Sequence, residues 1–360
     1  MFTRILAVSE AETLDEFVRA HKVGAIEQSW EWGALQCKIP GRTGFFVVGV
    51  FEGSAKAPCE EGRAHAEGAL VGSALFVRQE MWRNGKTWLW CPRGPLLPEG
   101  HEKDAWQLIL DACAKETHEA GDVFLRVEPG IVVGGEAGDG WCDLGGKTPH
   151  EEYLPSTTLL LDLGLGLEEL RAQMTQKGRY NIKVAEKAGV TVHAESGEKS
   201  VKNSDFGRFY EILVETAKRD GFQVHSRKFY EDFLTILGEK AVLYTAHLGG
   251  EVLGGILVTH FGVGASSRAT YYFGASSNVH REAMAPYLLQ WHAICAAKKA
   301  GIEVYDFLGI APEGADGHAL SGVTQFKTRF GGGRVRFCGP RVFIFRRVWW
   351  LFYRLAKAIF

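Results

Sequence analysis

The chain contains an internal repeat with a period of half its length. Three segments of the first half return in the second: VGSALFV (71–77), TWLWCPRGP (87–95) and AGDVFLRVEP (120–129) match LGGILVT (253–259), TYYFGASS (270–277) and AGIEVYDFLGI (300–310). Each displacement is close to half of the 360 residues. A single long period indicates a duplicated domain, because a solenoid repeats every roughly 20 to 50 residues. We expect a ligand site where two such copies meet, since clefts between domains are preferred binding places.

Each copy is predicted to be an α/β unit built around an antiparallel hairpin. The hairpin segments GFFVVGVFEG (44–53) and AVLYTAHLGG (241–250) also match, at a larger displacement that an insertion at 54–68 explains. A third strand, a helix and a fourth strand follow the hairpin, and helical segments precede it. This element order resembles that of an N-acetyltransferase-like (GNAT) domain. We place the first domain at 1–156, the second at 157–340 and a C-terminal helix at 341–360.

Composition indicates the cellular compartment. The seven cysteines are scattered and form no C-x-x-C pair, which argues against a disulfide framework or a zinc site and for a reducing compartment. The N-terminal segment becomes acidic before any long apolar run, and no uncharged stretch is long enough to span a membrane. We therefore expect a cytoplasmic, monomeric protein with no metal or other cofactor.

The net charge of −2 conceals a strong asymmetry. No acidic residue follows Asp316, and nine basic residues do: Lys327, Arg329, Arg334, Arg336, Arg341, Arg346, Arg347, Arg354 and Lys357. A second basic segment carries Arg179, Lys183 and Lys187 at a spacing of four, on one face of a predicted helix. Such a face is either simply solvated or binds an anionic partner, and the sequence leaves both interpretations open.

The last segment, 341–360, is predicted to form an amphipathic helix. Its basic side carries Arg346, Arg347, Arg354 and Lys357, and its other side carries Val348, Leu351, Phe352, Leu355 and Ile359. This pattern is typical of a helix that lies on an anionic membrane surface. It is equally compatible with a helix that packs its apolar stripe onto the body of the protein.

One segment stands out as a candidate for catalysis. GVTQFKTRFGGG (322–333) contains the pair Phe326 and Lys327, and a lysine in this setting can place its ammonium group where a carbonyl oxygen becomes anionic. The alternative is an ordinary surface lysine. The turn 274–286 lacks the R-x-x-G-x-G/A pattern that would hold the pyrophosphate of acyl-CoA, although Arg281 is present. The histidines without a partner at metal-ligand spacing include His225, His247 and His292.

Eight stretches, taken in order, resemble the FemABX peptidyltransferases. They are QSWEW (28–32), PRGP (92–95), LRVEP (125–129), TTLLLDL (157–163), RYNIKVAEKAGV (179–190), APYLLQW (285–291), YDFLGI (305–310) and FKTRFGG (326–332). The resemblance implies two GNAT-like domains that transfer an amino acid from aminoacyl-tRNA to the side-chain amine of the third residue of a peptidoglycan precursor. Without a coiled-coil arm, the chain is more similar to the FemX type than to the longer FemA type. The resemblance also implies that the segment after about 341 returns to the first domain.

The resemblance implies roles for individual residues. Lys327 corresponds to the lysine that stabilises the tetrahedral intermediate, with Phe326 beside it. The family's two phosphate-binding positions align with Gln36 and near His225, which are departures, and Lys38 and Arg227 are the candidate substitutes. The complete predicted substrate-binding set is Gln36, Lys38, Arg93, Arg126, Glu128, His225, Arg227, Tyr271 and Asp306. The predicted tRNA-binding residues are Arg179, Lys183, Lys187 and Arg329.

The reaction implied is attack of an acceptor amine on the ester carbonyl of aminoacyl-tRNA. Because an ester is converted to an amide, no cofactor or covalent enzyme intermediate is needed. The expected partners are aminoacyl-tRNA, a lipid-linked or nucleotide-linked precursor and the cytoplasmic face of the membrane as a peripheral contact. Two alternatives remain open: an acyl-CoA-dependent N-acyltransferase acting on a cell-surface polymer, and a non-catalytic adaptor at a membrane surface.

Overall fold

The computed structural model describes residues 1–53, 68–81, 85–135, 142, 144–149, 151–315 and 317–359. The insertion predicted at 54–68 therefore lies, except for its last residue, outside the described residues. The chain divides into two compact units: Met1–Ser156 together with Phe337–Phe360, and Thr157–Arg336. The second unit ends slightly earlier than the predicted boundary at 340, because Phe337 already hydrogen-bonds to Ser156 of the first unit.

The first unit is a six-stranded mixed sheet with helices packed against it. Its strands are β1 (Phe2–Ile5), β2 (Arg42–Phe51), β3 (Leu70–Met81), β4 (Lys86–Pro92), β5 (Phe124–Glu128) and β13 (Arg341–Ile344), in that spatial order. Its helices are α1 (Ala11–Ala20), α2 (Trp30–Gln36), α3 (Glu102–Ala120) and α11 (Arg347–Ile359). Strands β4 and β5 are parallel, and α3 connects them. Trp106 and Ile109 of α3 are buried in the same core as Val48 of the hairpin.

The C-terminal segment differs from its prediction as a helix over 341–360. Residues Arg341–Ile344 form a strand that pairs antiparallel with β5, and the helix begins only at Arg347. Phe345 and Arg346 both donate backbone hydrogen bonds to the carbonyl of Val123, which turns the chain between strand and helix. Phe343 of this strand packs against Trp106 of α3, with the ring centres 5.4 Å apart.

A disulfide also holds this segment in the first unit. Cys142 is bonded to Cys338, with Cα atoms 5.2 Å apart. The sequence argued against a disulfide framework and did not predict this bond, because the two residues lie 196 positions apart and their proximity depends on the return of the chain. The other cysteines that the structure describes, Cys37, Cys91, Cys113 and Cys295, are free.

The second unit is a seven-stranded mixed sheet. Its strands lie in the order β12 (Gly333–Arg336), β6 (Thr157–Asp162), β11 (Val304–Gly309), β10 (Arg268–Ser276), β9 (Glu251–Phe261), β8 (Ala241–Leu248) and β7 (Thr191–Ser196). Its helices are α4 (Leu167–Gln173), α5 (Gln176–Ala188), α6 (Gly197–Lys202), α7 (Ser204–Asp220), α8 (Arg227–Leu237), α9 (Ala285–Lys299) and α10 (Ser321–Lys327). Among the described strands of this unit, only β10 and β11 pair in parallel, and α9 connects them.

The duplication is visible in the order of the elements. In the first unit the hairpin β2–β3 is followed by β4, α3 and the parallel strand β5, and in the second the hairpin β8–β9 is followed by β10, α9 and the parallel strand β11. The second hairpin turns at Gly249 and Gly250, whose φ angles of 60° and 88° are in the left-handed region that glycine adopts without strain. The predicted α/β class with two repeated units is confirmed.

The described part of the chain contains no helix with the length and hydropathy needed to cross a bilayer.

Candidate functional site

The parallel strands β10 and β11 separate soon after they begin to pair. They are in register at three positions only, and the last pair joins Thr270 to Asp306. Beyond it, the pairing of β10 with β9 is irregular between Tyr271 and Phe273, and that of β11 with β6 is irregular between Asp306 and Gly309. Irregular pairing of this kind bends strands and is common beside active sites. A gap therefore opens within the sheet of the second unit.

The ammonium group of Lys327 lies at this gap and is almost completely buried, with 6% of the residue exposed. Its Nζ donates hydrogen bonds to the carbonyl oxygens of Gly309 at 2.8 Å and Leu308 at 3.3 Å. It also lies 5.6 Å from the centre of the Tyr271 ring. Burial lowers the pKa of Lys327 to about 8, while the negative charge of Asp306 opposes this shift. The group is thus a desolvated cation that remains mostly protonated at neutral pH.

The two carbonyls face Lys327 because of an unusual backbone at Leu308. Its φ angle of 59° is in the left-handed region, which a bulky residue rarely adopts. The carboxylate of Asp306 holds this turn by accepting a hydrogen bond from the backbone N–H of Leu308 at 2.8 Å. Asp306 itself is fixed by the hydroxyl of Thr158 on β6, at 2.5 Å. Strained backbone of this kind persists only where neighbouring contacts hold it, and it concentrates at functional sites.

Helix α10, which ends at Lys327, is fixed from both ends. Thr324 accepts a hydrogen bond from the backbone N–H of Ala311 at 2.7 Å, which ties the helix to the chain leaving β11. After Lys327, a short 3₁₀ turn packs against the start of α5 so closely that a Cβ on Gly178 would lie 2.4 Å from the carbonyl oxygen of Arg329. A side chain at position 178 would therefore push α5 away from the turn that follows the lysine.

A cavity of about 570 Å³ opens beside this cluster. Its walls are the end of β10, the following turn, the first turns of α9 and the side chain of Phe326. Tyr271 lines it and links it to Lys327; burial raises the pKa of Tyr271 to about 12, although a hydrogen bond with Gln290 opposes the shift. The volume is within the usual range of small-molecule sites. The turn beside it carries His280 and Arg281 rather than the glycines that a pyrophosphate cradle needs.

Four of the predicted site residues, Phe326, Lys327, Tyr271 and Asp306, are thus brought together in the second unit. Two others, His225 and Arg227, lie at the start of α8 and are exposed. The ring of His225 packs against Phe229 at 4.1 Å, and Arg227 forms an ion pair with Glu231 at 3.0 Å. The predicted role of these two residues in phosphate binding stays a prediction.

In the first unit, Arg126 and Glu128 form a buried ion pair at 2.8 Å, each 4% exposed. Trp90 and the backbone N–H of Tyr153 both donate to the Glu128 carboxylate at 2.8 Å, and Arg126 also donates to the carbonyl of Glu151. These contacts join β4 and β5 to the segment before the second unit. The predicted precursor-binding pair is therefore already engaged within the protein.

Of the remaining predicted substrate-binding residues in the first unit, two are buried and one is exposed. Arg93 is buried, donates to the carbonyl of Pro155 at 3.1 Å and covers the ring of Phe337 at 4.0 Å, so it anchors the point where the chain returns. Gln36 is also buried, with 2% exposed, whereas Lys38 is exposed at the end of α2. Of these three, only Lys38 presents its charge to solvent.

The predicted tRNA-binding residues are mostly on one surface. Arg179, Lys183 and Lys187 are all exposed along α5. Arg179 also donates to the carbonyl of Ala172 in α4 and to that of Met174, just after this helix. Arg329 differs, because it is partly buried and donates to the hydroxyl of Tyr287. We name the exposed residues Arg179, Lys183 and Lys187 the α5 basic face.

Sequence reasoning missed the groups that hold Lys327 in place. The carbonyls of Leu308 and Gly309 carry no side-chain signal, and Thr158 and Thr324 look like ordinary strand and helix residues. One signal for this turn is present in YDFLGI. Its aspartate can accept a hydrogen bond from the backbone N–H two residues on, which is typical of a turn.

The chain is similar to several known proteins. The model of the FemAB family matches residues 146–251 and 256–358. A crystal structure of FemX covers 98% of this chain and 99% of its own, with a TM-score of 0.80 and 18% identity. L-PGS from Bacillus licheniformis covers 98% and 96%, with a TM-score of 0.55 and 12% identity. A tandem GNAT protein from the clavulanic acid biosynthesis pathway covers 95% and 98%, with a TM-score of 0.52 and 12% identity. No curated protein matches the sequence.

The fold is accordingly that of a tandem GNAT-like protein. Because the family model covers more than half of the residues, the chain belongs to the FemAB family. Members of that family are transferases, and the family acts in the synthesis of peptidoglycan cross-bridges.

Because the Lys327 ammonium is buried, we expect the free energy of unfolding to depend on pH. The pKa of Lys327 falls from 10.5 in the unfolded chain to about 8 in the fold, so between these pH values the unfolded chain binds more protons and the free energy of unfolding rises with pH. Since one pKa unit corresponds to about 1.4 kcal/mol, the wild type should gain roughly 2–3 kcal/mol relative to Lys327→Met between pH 7 and pH 10. Urea unfolding of both proteins across this range measures it, and a constant difference would contradict the burial of a charged amine.

Proposed function

We propose that the protein is an aminoacyltransferase that moves an amino acid from aminoacyl-tRNA to the side-chain amine of a peptidoglycan precursor stem peptide. The observation that carries this proposal is the buried Lys327 ammonium beside a cavity of about 570 Å³. Membership of the FemAB family supports the reaction class. The tRNA dependence and the identity of the acceptor are part of the proposal.

The chemistry requires one group that stabilises negative charge. When the acceptor amine attacks the ester carbonyl, the carbonyl oxygen becomes an oxyanion; the C–O bond to the tRNA ribose then breaks, and the amine proton passes to the leaving oxygen. A lysine ammonium has three N–H donors, and Lys327 uses two of them on Leu308 and Gly309. The third is available to the oxyanion. Because two carbonyls fix the ammonium beforehand, little reorganisation is needed as charge develops.

The cavity is the proposed place for the aminoacyl end of the donor. Tyr271 and Phe326 line it, and Lys327 lies beside it, so an ester bound there would have its carbonyl close to the ammonium. A GNAT-like cavity could also hold acyl-CoA as the donor. The turn near His280 and Arg281 lacks the glycines that would bind its pyrophosphate, which argues for a different donor. No cofactor is required for this reaction.

Replacing Lys327 by methionine should therefore reduce the rate of transfer. Loss of one oxyanion donor typically lowers kcat by about 100- to 1,000-fold, and KM for charged tRNA should change little, since the ground-state ester is neutral. Mass spectrometry of the precursor after incubation with charged tRNA, or with acetyl-CoA in its place, measures both rate and donor choice.

The matched control is Lys298→Met. Lys298 also donates to a backbone carbonyl, that of Leu163 at 2.8 Å, but it lies at the far end of α9 from the cavity. It should keep near wild-type turnover. Full activity of Lys327→Met would refute the catalytic assignment, and transfer from acetyl-CoA alone would favour the N-acyltransferase.

The α5 basic face is the proposed contact for tRNA phosphates. Arg179, Lys183 and Lys187 are exposed on one helix side, and the same helix packs against the turn after Lys327. Phosphate neutralisation by lysine and arginine releases counterions, so affinity from this face must fall as salt rises. Arg329 lies next to this helix, because its carbonyl oxygen accepts a hydrogen bond from the backbone N–H of Thr175, immediately before α5.

Exchanging Lys183 and Lys187 for glutamate should weaken tRNA binding and flatten its salt dependence. The slope of log affinity against log salt should fall by about 1 for each lost phosphate contact. Filter binding across a salt series gives this slope. The control is Lys199→Glu with Lys202→Glu, exposed lysines of α6; equal slopes for both double variants would rule out the α5 basic face as the tRNA contact.

Helix α11 supports a further proposal, peripheral attachment to the anionic cytoplasmic membrane. Trp350 and Tyr353 pack on Phe124 of β5, at 4.8 and 5.1 Å. The apolar stripe on another side is exposed: Val348, Leu351, Phe352 and Leu355 are each more than half accessible. The exposure of this stripe favours a membrane contact over packing on the body of the unit. Exposed Arg347 and Arg354 accompany it, which suits anionic lipid.

The membrane proposal predicts that Leu351→Glu with Phe352→Glu abolishes sedimentation with phosphatidylglycerol vesicles. Truncation after Pro340 is unsuitable because it would also remove β13. Val263→Glu, which alters an exposed apolar residue of the second unit, is the control and should sediment normally. Unchanged sedimentation of the double variant would refute the proposal, and full turnover without lipid would argue against a purely adaptor role.

A further inference from the structure

A cluster of metal-ligating side chains lies in the second unit, at the opposite edge of the sheet from β12. It consists of His193 on the edge strand β7, His247 on β8 and Asp205 in the first turn of α7. In the antiparallel pairing, His193 is directly opposite Thr245, so His247 is its diagonal neighbour. Two imidazoles and one carboxylate therefore converge from three separate elements. The sequence prediction of no metal site rested on spacing along the chain, which does not reveal this convergence.

The distances suit one small cation. The Oδ2 atom of Asp205 lies 3.0 Å from Nε2 of His247 and 3.9 Å from Nδ1 of His193. Ligand atoms of all three residues lie within 4.8 Å of one another. Tetrahedral Zn²⁺ with bonds of about 2.0–2.1 Å places its ligands about 3.4 Å apart. Modest side-chain rotations would therefore bring the three ligand atoms to the separations of such a site.

The ring geometry and the neighbouring carboxylates favour a cation. The imidazole rings are stacked with centroids 4.2 Å apart, so both can face the same ion. Glu195, on the same side of β7 as His193, adds negative charge and is held by Asn203 at 3.0 Å. The nearest arginine along α7, Arg208, is engaged with Glu211 at 2.9 Å.

The supporting contacts resemble those that orient metal ligands. The hydroxyl of Thr245 donates to Oδ2 of Asp205 at 3.1 Å and lies 3.0 Å from Nε2 of His247, so it fixes both groups relative to each other. Such outer contacts hold ligand side chains in place. His247 and Asp205 are mostly buried, with 12% and 17% of their side chains exposed, whereas His193 is 60% exposed and leaves access from solvent.

We propose that His193, Asp205 and His247 bind one late first-row divalent ion, with Zn²⁺ as the best fit, and that solvent occupies the fourth position. Imidazole with carboxylate suits Zn²⁺ better than Mg²⁺ or Ca²⁺, which prefer oxygen ligands only. The ion joins the edge strand β7 to β8 and α7. An edge strand pairs on one side only, so a cross-link of this kind adds a second attachment to β7.

The test uses the full chain, stripped with a chelator and then titrated with ZnCl₂ or CoCl₂. We expect one equivalent of Zn²⁺ to bind, the melting temperature to rise with Zn²⁺ concentration, and Co²⁺ to give the intense visible absorption of a tetrahedral site. His193→Ala, Asp205→Asn and His247→Ala should each weaken binding at least tenfold. Because His193 is largely exposed, His193→Ala should keep the fold and the metal-free melting temperature.

The control is His280→Ala, which removes a histidine 3.4 Å from the carboxylate of Glu282. It should bind Zn²⁺ like the wild type. If the wild type binds no stoichiometric Zn²⁺, or if His193→Ala and His247→Ala bind as tightly as the wild type, the cluster is only a hydrogen-bonded Asp–His pair and the proposal fails. The outcome is independent of transferase activity.

Discussion

The burial of one lysine ammonium constrains the architecture around the site in the second unit. A charged amine that leaves water must recover its hydrogen bonds from polar groups, and here the carbonyls of Leu308 and Gly309 provide them. They do so because Asp306 holds Leu308 in a left-handed conformation, and Asp306 is itself held by Thr158 on the neighbouring strand. The position of a single nitrogen atom is therefore set by a chain of contacts that crosses the sheet.

The same position of the repeat serves different purposes in the two units. When the segments that begin at Ala120 and Ala300 are aligned, Asp306 of β11 corresponds to Arg126 of β5. In the first unit the arginine is neutralised by Glu128, two positions further on, and this ion pair joins strand and loop. In the second unit Leu308 replaces that glutamate, and the carboxylate instead organises the backbone around a lysine from elsewhere in the chain. The two equivalent strand ends thus carry different polar contacts, an ion pair in the first unit and a carboxylate-held turn in the second.

The sequence predicted what depends on local patterns. The repeat, the α/β class and the antiparallel hairpins all follow from short segments whose side chains fix their conformation. The strand Arg341–Ile344 was missed because its basic and aromatic residues also fit a helix, and only its partner β5 decides between the two. Lys327 was identified from its sequence context. Its carbonyl partners and the convergence of His193 with His247 depend on backbone geometry and strand register, which a single sequence does not specify.

The first unit consists of two stretches of chain, one before and one after the second unit in the sequence. Strand β13 pairs with β5 and completes the sheet, yet the ribosome makes it only after the whole of Thr157–Arg336. Until β13 has been synthesised, β5 therefore has one row of backbone N–H and C=O groups that β13 does not yet pair. Unpaired strand edges of this kind promote aggregation. The second unit is contiguous, so its sheet needs no strand from beyond Arg336. The order of maturation is thus the reverse of the order along the chain, with the N-terminal unit finished last.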